Sequence, residues 1–525
     1  MSHRICQALL VLLTMGGQVA AAADWFVDTS GNDGNDCTAP GPSNACLTIQ
    51  AAIDRASPGD TIHVAAGTYS EPGPGPLVIG TTLTLLGEQN GVDARERVAP
   101  ESVLADPEGT AVLADEVVID GFTIQESTAD FTGFGVWMGA ATAGTQILNN
   151  IIQGNVIGIG LSNTGSSRAI IRHNLIQNNN QPGPASGTGI YTDQFVSGGP
   201  LKNVLIEENA FVGNDDAGID VSNTDADNGV SNLDVSTNSF DANGRAVVLF
   251  NTFRSSIHGN HITNSTYPLS AAIRVFDNNR NLSILDNDFA TGVFHAIRVS
   301  DLDFVDPGNP NPSANLVIHQ NNIAFFAGDG LLVDTGSHVG TVNAECNWWN
   351  SPTGPTNDGN PAGTGERVDG DAGFTPWLIP PAPSGECVGG PPSTPGKVTG
   401  GGQVGSDPSH PKARATFGFE AKCCGPTGRL EYNDHQAGVR IEAQSVSGLV
   451  ISSPGTACPA MPGSRHARFT GMAEVMRSTG TTTEPVTVDV DDCGEPGKAD
   501  TFGISTTSYS NGPRTLTGGN IQIHQ

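Results

Sequence analysis

Lysine is nearly missing: five occur in 525 residues, and only Lys202 precedes residue 395. Lys and Arg together number 24 against 54 Asp and Glu, a formal net charge of −30. Phosphate backbones are held by clustered cations, so a general nucleic-acid binder is excluded. The same deficit disfavours docking on an anionic bilayer. Past the N-terminus no apolar run approaches the roughly 18 residues of a membrane-spanning helix, so no membrane insertion is expected. No Cys-x-x-Cys pair supplies the spacing of a zinc site. Amphipathic helical periodicity is also missing, and 67 Gly with 34 Pro argue against a helical bundle.

What is present begins with a leader. Arg4, the apolar run Ala8 to Met15 and the small residues Ala21-Ala22-Ala23 have the order of a secretory signal. Cleavage after Ala23 would leave a secreted, periplasmic or cell-surface chain starting at Asp24. Eight cysteines follow: Cys37, Cys46, Cys346, Cys387, Cys423, Cys424, Cys458 and Cys493. An even number in an exported chain favours disulfides. Cys37–Cys46 would close a local loop and Cys346–Cys387 would pin the end of the repeats. The last four are expected to pair among themselves, with Cys423 and Cys424 taking different partners.

Asparagine is concentrated: 31 of 40 lie between Asn149 and Asn350. It recurs as Asn-x-apolar at Asn150, Asn174, Asn209, Asn238, Asn260, Asn287, Asn321 and Asn347, at intervals of 22 to 35 residues. Such a period signals a solenoid. Each unit holds short alternating runs separated by Gly, Asn, Asp and Ser, so the repeat is made of strands. The expected fold is all-β: a parallel β-helix of ten or eleven coils, with the repeated Asn stacked as an amide ladder at a bend.

These coils resemble the right-handed parallel β-helix repeats of pectin-lyase-like exported proteins. The start is similar to that family's helical cap and first coil, in Trp25-Phe26-Val27-Asp28, Thr48-Ile49-Gln50-Ala51-Ala52-Ile53 and Gly59-Asp60-Thr61-Ile62-His63-Val64. So are the terminating runs Cys346-Asn347-Trp348-Trp349-Asn350 and Phe374-Thr375-Pro376-Trp377-Leu378. The resemblance covers 24–380. It implies a polysaccharide or other glycan as ligand. The protein would then be a lyase or glycoside hydrolase working on a polymer along the β-helix face, or a non-catalytic adhesin-like surface protein. After it, 381–411 reads as a Pro/Gly-rich linker. Alternating runs over 412–525 suggest a small β-sandwich. That segment resembles a β-rich module at the C-termini of exported bacterial proteins, in Ala415-Thr416-Phe417-Gly418-Phe419, Gly494-Glu495-Pro496-Gly497 and Gly519-Asn520-Ile521-Gln522-Ile523-His524.

Aligning one strand across coils exposes a face. The series starts Gly135-Val136-Trp137 and ends Gly330-Leu331-Leu332, and alternation sends every third member outward. The outward column reads Trp137, Gly160, Tyr191, Asp220, Val248, Arg274, Arg298, Leu332. Its neighbour two residues on includes Asp193, Phe250, Phe276 and Asp334. Asp193 and Asp220 have the residue type and spacing of paired catalytic carboxylates. Arg274 and Arg298 suit a uronate or a proton-transfer role. Trp137, Tyr191, Phe250 and Phe276 offer stacking surface, with His295 beside them as a substrate-binding residue. The pair Asp215-Asp216 and the run Asn223-Thr224-Asp225 read better as loop turns. Calcium is the one cofactor the composition suggests. Its candidate ligands are Asp28, Asn32, Asp33 and Asp36, with Asp225, Asp227 and Asn228, and Asp489, Asp491, Asp492 and Glu495, as further oxygen-rich loops.

Overall fold

The computed structural model describes residues 22–98, 100–129, 133–223, 229–300, 311–389, 396–407, 410–422, 428–443 and 446–524. Residues 1–21 of the expected leader, residues Thr224 to Asn228, and Cys423 and Cys424 lie outside them.

Each full coil gives one strand to each of three parallel sheets. Among the described residues these count thirteen, twelve and ten strands. The ten-stranded sheet marks ten full coils, within the ten or eleven expected, and short end strands such as Asp24–Val27 and Ala372–Gly373 lengthen the thirteen-stranded sheet beyond them. One coil runs Ala169–Arg172, Leu175–Gln177, Thr188–Thr192 and then Leu201–Glu207, directly above the first strand. Inward positions stack like on like. Ile147, Ile171, Ile206 and Val235 form one fully buried column. Phe211 and Phe240, the apolar members of two Asn-x-apolar units, stack at 4.7 Å. No single coil could bury these faces alone; neighbouring coils do it for each other.

The corner between the thirteen- and ten-stranded sheets shows why the repeat is asparagine. The residue before each motif Asn turns left-handed, as at His173 (φ 57°), Glu208 (φ 54°) and Thr237 (φ 54°). The Asn that follows has its amide buried. The backbone N–H of Asn174 donates to Oδ1 of Asn209 at 2.9 Å, and Asn209 does the same to Asn238 at 2.9 Å. Each Nδ2 also donates to a carbonyl of the strand in the preceding coil, as Asn209 does to Ile171 at 2.9 Å. The ladder runs unbroken from Asn150 to Asn347. A second ladder, absent from the repeat as first read, joins Asn155, Asn179, Asn214 and Asn243 at the next corner.

The short helix Ile49–Ile53, capped by Thr48, lays Ile49, Ala52 and Ile53 against the first coils. Disulfides join Cys37 to Cys46, Cys346 to Cys387 and Cys458 to Cys493. The last bond corrects the expected C-terminal pairing, since Cys458 and Cys493 take each other and neither is left for Cys423 or Cys424. Three disulfides among the described residues suit an oxidising compartment.

The C-terminal region is a ten-stranded antiparallel sheet with its own core. Phe417 and Phe502 stack at 3.9 Å although four strands separate theirs in sheet order, so the sheet folds over onto itself. The expected linker narrows. Glu386–Gly389 pairs with Trp377–Ile379, and Lys397–Asp407 is an inner strand of the C-terminal sheet, between His410–Lys422 and Gly518–His524.

The two parts meet at Glu345. This residue is 2% exposed, its carboxylate lies 2.9 Å from Arg468, and it accepts from the Thr487 hydroxyl at 3.1 Å. Burial pushes its carboxyl up to about 7, against the opposing pull of Arg468. A carboxyl raised on docking favours contact while it stays protonated. That contribution is full below its ordinary value of 4.5 and is lost as pH rises through about 7. Limited proteolysis between the two parts should therefore accelerate from about pH 5 to about pH 8. Glu345→Gln should flatten that rise; an unchanged profile would assign it to other groups, such as His466, beside Asp489 and Asp491.

Candidate functional site

The outward face of the twelve-stranded sheet carries the expected column in register. Trp137 pairs with Gly160, Gly160 with Tyr191, Tyr191 with Asp220, Asp220 with Val248, Val248 with Arg274, Arg274 with Arg298 and Arg298 with Leu332. Strict one-to-one register is what a buried inner column such as Ile159, Ile190 and Ile219 enforces, because a one-residue slip would turn it outward.

Along this face the charges are ordered. Asp220 is held protonated further than an ordinary carboxyl: burial and the nearby Asp216 push it up to about 7, while Arg245 and Arg274 pull it down. Arg245 is already engaged, 3.0 Å from Asp216, with its Nε donating to Ser270 and its guanidinium 4.0 Å over the Tyr267 ring. Arg298 is engaged as well, in a two-pronged contact with Asp334 at 2.9 and 3.1 Å. Arg274 lies between them in a different state. It makes no ion pair among the described residues, its buried Nε has no acceptor, and its guanidinium stands 5.0 Å from the Phe276 ring. Burial and the flanking Arg245 and Arg298 lower its pKa. A half-buried guanidinium has the charge and the forked donors to bind a carboxylate.

The other expected residues divide. Phe250 and Phe276 do meet, rings 5.0 Å apart, one coil from the next. Asp193 is committed to structure. Its Oδ1 caps the helix Gln194–Ser197 by accepting from Phe195 and Val196, and its Oδ2 accepts from the Tyr191 hydroxyl at 3.0 Å. That hydroxyl is held well above the usual tyrosine value by burial and by Asp193. His295 is drawn into the sheet. It opens the strand His295–Ser300, is 7% exposed, and its Nδ1 accepts from the Asp329 N–H at 2.9 Å. Burial keeps it neutral at a lowered pKa.

Asp216 was passed over as a turn residue, and Arg245, Tyr267 and Asp329 were not singled out. Asp216 and Arg245 sit at the coil corner just before the aligned triplets, where the column does not reach. Their only signal in the sequence is opposite charge at matching corners of successive coils.

The calcium candidates fold onto their own loops. Asp28 accepts from Ser30, Asn32 from Gly34, Asp36 from Thr38, and Asp33 from the backbone of Leu47 and Thr48. Asp491 and Asp492 are likewise bound to Thr501 and Ile523. Among the described residues no three His, Cys, Asp or Glu side chains converge as a metal site.

A family described as a protein of unknown function, DUF1565, matches residues 29–256. No curated protein matches the chain. Among solved structures, an alginate lyase from Paenibacillus sp. is 17% identical, covering 62% of this chain and 95% of its own, with a TM-score of 0.34. A lacto-N-biosidase from Eubacterium ramulus is 13% identical over 60% of this chain and 67% of its own, with a TM-score of 0.35. A rhamnogalacturonan lyase is 11% identical over 61% and 84%, with a TM-score of 0.32. The chain is a parallel β-helix followed by an antiparallel β region.

Proposed function

We propose that this is an exported protein that binds an acidic polysaccharide along the twelve-stranded face and cleaves it by β-elimination. The observation that carries the reading is Arg274, without an ion pair among the described residues, two coil steps along the face from Asp220, whose carboxyl titrates near neutrality. Elimination from a uronate needs two things: neutralisation of the sugar carboxylate, and a base for the proton on the adjacent carbon. Arg274 supplies the first as a charge-assisted contact. Asp220 supplies the second, since a base works best with a pKa near the operating pH. Its carboxylate takes the C5 proton, the C4–O bond breaks as the C4=C5 bond forms, and the departing oxygen takes a proton from water. Hydrolysis fits less well, because it needs two free carboxyl groups and Asp193 is spoken for as a helix cap.

The test is a panel of polyuronates and neutral polysaccharides, followed by absorbance of unsaturated products and by reducing ends. Activity is expected on polyuronates alone, rising as pH passes upward through about 7 because the base form of Asp220 is the active one. Arg274→Ala should cut kcat/KM by about a hundredfold, the loss of one charged contact of roughly 3 kcal/mol. Binding without any product would favour the second reading, an adhesin-like protein using the same face.

A further inference from the structure

We propose that the glycan carries aromatic substituents and that a cleft at the Trp137 end of the same face receives one of them. The cleft encloses about 710 Å³, within the range of sites that take a small organic group. Its walls are Phe134, Trp137, Val156, Ile157, Pro184 and Phe195.

The floor is built for rings. At Gly160 an added Cβ would lie 2.8 Å from Cδ1 of Phe134 and 3.0 Å from Cδ1 of Trp137, so only glycine lets both rings settle over this strand. Phe195, 80% exposed, stands at the rim on the short helix that Asp193 caps. Ile157 and Val156 are buried and offer no polar atom from their side chains. A bare pyranose pressed into such walls would leave ring hydroxyls facing hydrocarbon without partners, at a cost of about 1–3 kcal/mol each. A planar aromatic group has no such requirement, and it gains offset or edge-on contact with Trp137 and Phe134.

Polar groups stand at the cleft's borders. Glu108 and Thr110 belong to the preceding coil. On the other side are Tyr191 and Asp193, and the Asp193 charge also acts on Asp220. The cleft therefore opens directly onto the charged row. From Trp137 to Arg274 is five coil steps, about 24 Å at ~4.8 Å each. A single sugar cannot bridge that distance, whereas a polymer with a substituent on one residue can.

This inference rests on glycan binding at the face, and the experiment separates the two. Affinities of the full-length protein for phenyl β-D-glucuronide and methyl β-D-glucuronide would be compared by calorimetry and by Trp fluorescence. The phenyl compound should bind about tenfold more tightly. Trp137→Ala, and Gly160→Leu if its circular dichroism is unchanged, should erase that advantage. Arg274→Ala should leave it intact. Equal affinities in the unaltered protein, or an advantage that survives Trp137→Ala, would overturn the proposal. So would self-association that Trp137→Ala abolishes with no phenyl preference, which would assign the cleft to a second copy of the chain. Failure on polyuronates with the phenyl preference retained would sink elimination chemistry alone.

Discussion

Asp220→Asn should make the protein more stable at neutral and alkaline pH while removing its turnover. The Asp220 carboxyl is raised from its ordinary 3.8 to about 7, chiefly by burial and then by Asp216. A carboxyl whose folded pKa lies above its unfolded value contributes fully below pH 3.8 and loses that contribution as pH rises through about 7. Three units correspond to at most about 4 kcal/mol. The Asn variant never bears the charge, so its advantage should appear between about pH 4 and pH 7, plateau above, and vanish below. Chemical denaturation across pH measures it. Turnover should meanwhile fall by about 10²–10⁴, as for loss of a general base. The two effects together are diagnostic, because stability held back by a charged group at a site is the signature of a group kept for chemistry. A variant that is less stable at pH 8 would instead make Asp220 a structural counter-ion for Arg245 and Arg274.

Asn209→Ala should be the most damaging single change in the rod. It removes the acceptor of the Asn174 N–H and the donor to the carbonyls of Ile171 and Glu207, all in a buried corner. It also strips one partner from Asn238. Each stranded buried group costs about 1–3 kcal/mol, so a loss of about 4 kcal/mol is expected. Neighbouring coils are each other's only support, so hydrogen exchange should accelerate on both sides of the break rather than at residue 209 alone. A loss under about 1 kcal/mol in urea unfolding would mean that water replaces the amide and that the ladder is not what holds the corner.

Much of this is legible in the sequence. Strand alternation with a strict inward apolar member put Trp137, Tyr191, Asp220, Arg274 and Arg298 in one file, and the register holds them there. A solenoid is favourable for such reading, since register is set coil by coil and a local pattern becomes a spatial column. What lay beyond reach was how side chains partner one another. Arg274 and Arg298 look alike in the column, yet Arg298 pairs with Asp334 while Arg274 makes no ion pair among the described residues. Asp193 and Asp220 look like a matched pair, yet a four-residue helix claims the first. Asp216 and Arg245 come together only because two corners of different loop length end at the same height.

The scarcity of cations had ruled out nucleic acid and pointed to Arg274 and Arg298 as exceptions. The sequence alone decided the architecture. The Asn-x-apolar period dictates a coil, alternation dictates the faces, and composition separates the rod from the C-terminal part. These follow from local chemistry repeated many times, where each copy corrects the reading of the others. Only the tertiary structure set the state of the candidate residues. It gave Arg274 no ion pair among the described residues, desolvated Asp220 until its proton is held near neutrality, and set two rings over Gly160. Those properties depend on desolvation and on distances between residues some 20 to 60 positions apart, as in the separation of Asp220 and Arg274 or of Trp137 and Gly160, and no repeat records them.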